Sequence, residues 1–161
     1  MAKLKNINGH FVESDYENAL IAFLEREGWQ YLFSDSIARA NRKEVLIVDD
    51  LLQFLKDNYK NVKDEELQRI ADNVRLVGAD SDFATLHKVY KWMVNGVPAV
   101  DKDGRPTTVN LIDFSCVDNP EAKNTNFFRV VNQFTVEYMN NGVTKNRRPD
   151  VLLYVNGIPV C

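Results

Sequence analysis

The sequence has 161 residues, 45% hydrophobic and 27% charged, with a formal net charge of −3; that balance fits one compact globular domain and excludes collagen, coiled-coil and disordered chains. No stretch approaches the roughly 18 uninterrupted apolar residues of a membrane span, and no apolar run follows Met1–Asn6 as it would in a secretory signal, so a cytoplasmic protein without membrane association is expected. Cys116 and Cys161, with only His10 and His87 beside them, supply neither a disulfide framework nor a zinc-ligand spacing, and the mild acidity excludes a uniformly basic coat while leaving room for a local basic groove.

The first 95 residues read as helices. Ser14-Asp15-Tyr16-Glu17 has the Ser-x-x-Glu form of a capping box, Tyr16, Ala19, Leu20, Phe23 and Leu24 form an apolar stripe behind it, and Gly28 is the stop. Helical periodicity returns over Glu44–Tyr59 (Val48, Leu51, Leu52, Leu55) and Asp64–Leu76 (Leu67, Ile70, Ala71, Val74). A fourth helix is predicted after Ser81, carrying Phe83, Leu86, Tyr90 and Met93 and ending at Asn95-Gly96. The block over about residues 43–95 has the size of a helical insertion. From residue 97 to 161 the period changes to two. Asp101-Lys102-Asp103-Gly104 is a turn between short extended pieces, Val109–Phe114 is a strand candidate, and Phe128 to Tyr138 alternates as one strand with one buried face, ended by Asn140-Asn141-Gly142. The apolar run Asp150–Val155 suits a central strand. Asn156-Gly157 is a type I′ hairpin signal, with Ile158–Cys161 as the returning strand. Because only four residues return, the chain is expected to be a truncated piece of a longer domain. An apolar strand edge beside Tyr154 and Val155 is then expected to be open to self-association.

The most informative segment is Lys145-Asn146-Arg147-Arg148-Pro149-Asp150, which sets a carboxylate beside three cations at a strand mouth. Pro149 is tolerated at a strand start and forces Arg148 to be extended, which fixes where Asp150 enters the sheet. From the residues alone it is either a solvated turn or a phosphate-holding mouth. Other signals are weak. Asp101-Lys102-Asp103-Gly104 lacks the remaining ligands of a calcium loop, none of the seven glycines belongs to a nucleophile elbow or a P-loop, and His87 and Cys116 read as packing residues.

The run Arg148-Pro149-Asp150-Val151-Leu152-Leu153-Tyr154-Val155-Asn156-Gly157-Ile158-Pro159-Val160 strongly resembles the nuclease domain at the N-terminus of the motor (R) subunit of type I restriction-modification enzymes. Asn126-Phe127-Phe128 with Val131-Asn132-Gln133-Phe134-Thr135-Val136 resembles it too, as does Tyr16-Glu17-Asn18-Ala19-Leu20-Ile21 through Gly28-Trp29. The resemblance implies an α/β fold: a restriction-endonuclease-like mixed sheet flanked by helices, with a helical insertion, truncated at its C-terminal end. It also implies membership of the PD-(D/E)xK nucleases, which hold Mg2+ between an Asp and the Glu of a following Glu-x-Lys. Asp150 matches the Asp, whereas the Glu and Lys would fall about three positions beyond Cys161, so this chain by itself is expected to be inactive.

By the same resemblance Glu17 stands where a helix glutamate reaches the metal; a cap of its own helix is the competing role. Gln133 recurs in the family block and supports the site or is a solvated strand residue, and Lys145, Arg147 and Arg148 contact DNA phosphates or form a solvated turn. The implied activity is metal-dependent hydrolysis of duplex DNA, with ATP used only by motor domains elsewhere in the subunit and with methyltransferase and specificity subunits as partners. The alternative is a non-catalytic module that docks DNA or a partner subunit on a nuclease-like scaffold.

Overall fold

The computed structural model describes residues 13–77, 82–119 and 121–161. Helix α1 (Glu13–Arg26) leads into strand β1 (Gln30–Phe33) and a 3-10 turn (Ser34–Ser36). Helices α2 (Val48–Asn58), α3 (Asp64–Arg75) and α4 (Asp82–Asn95) follow. Next come strands β2 (Val97–Val100) and β3 (Pro106–Val109), the one-turn helix α5 (Ser115–Asp118), and strands β4 (Phe128–Asn132), β5 (Val136–Asn140), β6 (Val143–Arg147), β7 (Val151–Val155) and β8 (Ile158–Pro159). The architecture is mixed α/β, as expected. The main sheet has the order β1-β4-β7-β8, with β1 parallel to β4 and the other neighbours antiparallel, while β2–β3 and β5–β6 form two separate hairpins.

Side chains alternate across a strand, so Phe128, Val130 and Asn132 share one face of the sheet and Arg129 and Val131 the other. The first face carries the contact between Trp29 and Phe128, with ring centroids 5.1 Å apart. On the second face Val131 and Tyr154 pack with Ile47 and Phe134, and Arg129 forks onto Asp50 of α2 through bonds of 2.7 and 2.9 Å. Both partners are mostly buried, and the Asp50 carboxylate raises the Arg129 pKa further. Breaking such a pair would strand a buried charge, so it fixes where α2 sits on β4.

The expected stripe of α3 is the buried one: Leu67, Ile70, Ala71 and Val74 join Leu51, Phe54 and Leu55 of α2, Val97, Ala99 and Val109 of the β2–β3 hairpin, and Ile158 in the larger core. In α4 the stripe is displaced. Phe83, Leu86 and Tyr90 are exposed, while Met93 of the expected stripe packs on the core together with Trp92. His87 is likewise exposed, beside the Phe83 ring at 6.0 Å.

Four local expectations are revised. Helix α1 already includes Ser14, so this serine does not cap it. Strand β1 adds a parallel partner to the sheet within the stretch read as helical. The second β2–β3 strand is Pro106–Val109, and Leu111 and Ile112 are buried without joining a strand. The long strand from Phe128 to Tyr138 is broken: Gln133 takes a left-handed φ of 54°, Phe134 stays buried edge-on to Tyr154, and the chain turns out of the sheet to build β5 and β6. Lys145 and Arg147 therefore sit on a strand and not in a turn.

The Asn156-Gly157 turn has the two positive φ values, 51° and 75°, that a type I′ turn needs. Asn156 is fully buried, yet its amide is satisfied: Oδ1 accepts from the Phe127 N–H at 2.8 Å, and Nδ2 donates to the Leu111 carbonyl at 2.9 Å and to Asn126 Oδ1 at 2.8 Å. Gly157 accepts from the Ile47 N–H at 2.9 Å, and a Cβ there would lie 2.1 Å from the Ile47 carbonyl oxygen. The turn is thus seated on the residue that precedes α2. Tyr154 is fully buried against Ile47, Val131 and Phe134, and the short strand β8 pairs with β7 as the outermost strand of the main sheet.

Candidate active site

Asp150 stands at the mouth of β7, where β6 returns through Arg148 and Pro149 to the main sheet. Pro149 cannot donate to a ladder, so regular pairing begins only at Val151, opposite Asn132. The Asp150 carbonyl accepts from the Gln133 N–H at 3.1 Å, and the left-handed turn at Gln133 is what aims that N–H. Gln133 therefore supports Asp150 through its backbone, while its side chain is exposed.

From the other end of the chain, α1 lays Glu17 into the same place. Tyr16, Glu17, Leu20, Asp150 and Val151 line one open cleft of about 400 Å³. Asp150 is exposed and Glu17 half-buried. Ser14 lies inside α1 and not ahead of it. Beside Val151 in the sheet, its register partner Asn132 accepts from the Tyr31 hydroxyl at 2.8 Å. Sequence reasoning missed that pair because β1 was not expected.

Lys145, Arg147 and Arg148 are exposed and lie outside the residues that line the cleft. Arg147 stacks over the Tyr138 ring, 5.2 Å from its centroid. A larger cavity of about 570 Å³, lined by Lys43, Leu46, Val74, Leu86 and Ile158 among others, contains none of the expected site residues. It is mostly apolar and offers no constellation for chemistry.

Among the described residues no group of three or more His, Cys, Asp or Glu side chains is placed to hold a metal ion. The cleft offers two carboxylates, the hard oxygen donors that suit Mg2+, which commonly takes only one or two protein carboxylates and fills its remaining positions with water and substrate phosphate. The donor set fits such an ion, with room in the open cleft for those further ligands. Among the described residues no helix is long and apolar enough to cross a membrane.

Sequence comparison with known proteins supplies the family. The family described as the type I restriction enzyme R protein N terminus matches residues 10–161. A protein of Methanocaldococcus jannaschii, described as a type I restriction enzyme MjaIXP endonuclease subunit, is 30% identical over 92% of this chain. The matched region spans 15% of that relative's length. The chain belongs to the family of type I restriction enzyme R protein N-termini.

Proposed function

We propose that this chain is the nuclease domain of a type I restriction enzyme R subunit, and that Asp150 and Glu17 bind the divalent cation, Mg2+, used to hydrolyse phosphodiesters of duplex DNA. One observation carries the reading: two acidic residues at opposite ends of the sequence, on a helix and at a strand mouth, line one open cleft. Held by Asp150 and Glu17, such a cation would polarise the scissile phosphate and lower the pKa of an attacking water. The protein supplies the rest. Asp150 is held by the Gln133 N–H, Glu17 by the rigid body of α1, and Lys145, Arg147 and Arg148 attract and hold the phosphate backbone without reading sequence.

The resemblance adds a third donor in a longer protein, and the pairing beyond Val155 gives only the register it would take. The Val160 N–H donates to the Leu153 carbonyl at 2.8 Å, while the Leu153 N–H donates to the carbonyl of Cys161 at 2.8 Å, the two-against-one pattern of a β-bulge. Counted on from this bulge, the third residue after Cys161 falls opposite Asp150. The reading places an acidic residue there, followed two positions later by the lysine. ATP use, and docking to methyltransferase and specificity subunits in the cytoplasm, belong in this proposal to the complete enzyme.

The test has two arms. In the complete R subunit Asp150→Ala abolishes cleavage and spares ATP hydrolysis, and Glu17→Ala lowers cleavage at least tenfold. In calorimetric titration with Mn2+, both variants bind the metal more weakly than the parent. Retained cleavage by Asp150→Ala, or unchanged Mn2+ binding, overturns the reading in favour of a docking module on a nuclease-like scaffold.

A further inference from the structure

The β5–β6 hairpin is an odd element for a domain of this size. It pairs with no other strand, and every residue of β6 is exposed. A two-stranded hairpin by itself is marginal in water, and here Val136 at its base packs against Ile47, Val131, Phe134 and Tyr154. This one is tied down along one edge, where the Glu137 N–H donates to the Arg42 carbonyl at 2.8 Å and the Arg42 guanidinium lies 3.9 Å from the Glu137 carboxylate. The 42–43 turn and the ribbon, almost a hundred residues apart in the sequence, thus form one surface.

That surface is basic in a protein that is acidic as a whole. Arg42, Lys43, Lys145, Arg147 and Arg148 are all exposed, and the one carboxylate on the ribbon, Glu137, is engaged by Arg42. Lys145 is the register partner of Tyr138, and Arg147 is paired with Val136, so the two cations share a face with the Tyr138 ring over which Arg147 is stacked. A guanidinium held on an aromatic face loses less freedom when it meets a phosphate. The tip is Asn140-Asn141-Gly142-Val143, amide-rich and fully exposed. Strands of five residues extend roughly 17 Å, and a two-stranded ribbon is narrow enough for the major groove of B-DNA, about 12 Å wide.

We propose that the β5–β6 ribbon and the Arg42–Lys43 turn are an arm that grips duplex DNA through its phosphates and delivers it to the cleft at Asp150, two residues beyond Arg148. The arm's direction rests on the nuclease reading of that cleft; its capacity to bind DNA does not. A partner of acidic protein surface would answer the charge but not the ribbon's groove-sized width and amide tip.

The experiment measures fluorescence anisotropy of a labelled short duplex with this protein in EDTA, where metal-dependent chemistry is absent, across a series of salt concentrations. Neutralising Arg42, Lys43, Lys145 and Arg147 together with glutamine is expected to weaken binding at least tenfold at low salt. The slope of log affinity against log salt should fall by about 3 to 4, near 0.9 for each phosphate that the protein no longer neutralises. Lys145→Gln/Arg147→Gln alone, which leaves the Arg42 anchor intact, should give about half that change. Neutralising Lys60, Lys88 and Lys91, exposed on other elements, should change neither quantity. Equal losses from the two sets of substitutions, or parent binding to a heparin fragment as tight as to the duplex, overturn the proposal. Failure of the arm is read in this metal-free binding assay and failure of the nuclease reading in the cleavage and Mn2+ titrations of the complete subunit, so the two give separate results.

Discussion

The described residues contain two Asn-Gly hairpins with nearly the same turn geometry and opposite surroundings. Asn141-Gly142 joins β5 to β6 with φ values of 49° and 77°; Asn156-Gly157 joins β7 to β8 with 51° and 75°. A Cβ on Gly142 would meet nothing within 4 Å, whereas one on Gly157 would strike the backbone of Ile47. The first Asn is exposed and the second is fully buried with its amide spent on three bonds. One dipeptide therefore serves two purposes. In the ribbon it satisfies only the local twist of a hairpin, and in the main sheet it also sets how the strand that begins at Asp150 docks on the rest of the protein.

Gly157→Ala should produce the largest change, destabilising the protein by on the order of 4 kcal/mol or more, because backbone on both sides must move to admit one methyl group. Chemical denaturation would read this, and a loss below about 1.5 kcal/mol would show that the seat on Ile47 yields and that the two turns are less different than they look. Next comes Asn156→Ala, which leaves the Leu111 carbonyl and the Phe127 N–H without their partner; a cost of about 3 kcal/mol is expected, against less than about 1 kcal/mol for Asn141→Ala.

Tyr154 sharpens the contrast in a different variable. Burial pushes its pKa up to about 12, and its hydroxyl has no hydrogen-bond partner among the described residues. The folded state prefers the neutral phenol, so this contribution to stability is fully present below pH 10 and is lost as the pH rises towards 12. Tyr154→Phe should remove that part of the alkaline loss while changing stability at pH 7 by no more than about 1 kcal/mol. A thermal-melt series from pH 8 to 11.5 on both proteins tests it. Gly142→Ala should cost about 1 kcal/mol from the left-handed backbone alone, far less than Gly157→Ala, with duplex binding retained.

What was readable from the sequence was local. Both Asn-Gly turns, the buried stripe of α3, the Asp101–Gly104 turn and the strand beginning after Asp150 are written in neighbouring residues, and the structure has them where periodicity and turn chemistry put them. The resemblance located Asp150 and Glu17. What brings them to one cleft is the parallel seating of β1 on β4 with α1 before it, and no local pattern announces a four-residue strand such as Gln30–Phe33. The break at Gln133 was hidden because Phe134 and Val136 continue the alternation of β4; the alternation is genuine, but two different sheets use it. Arg42 was invisible as a partner of the ribbon because its hydrogen bond to Glu137 runs through the backbone and its ion pair with the same residue joins positions that no local pattern connects.

The Gln30–Arg129 pairing spans 99 residues of chain, and it carries a consequence in time. Contacts of such separation are slow to form, since the entropy of closing the intervening loop is lost before the contact rewards it. The α2–α3 pair and the two hairpins can assemble from near neighbours, while β4 must wait with one edge unpaired until β1 arrives from the far end of the sequence. Amide protons of Tyr31 and Leu32 are therefore expected to gain protection last in pulse-labelled refolding. The cleft that joins Glu17 to Asp150 comes into being only with that final closure, so the chain completes its fold and its candidate chemistry in the same step.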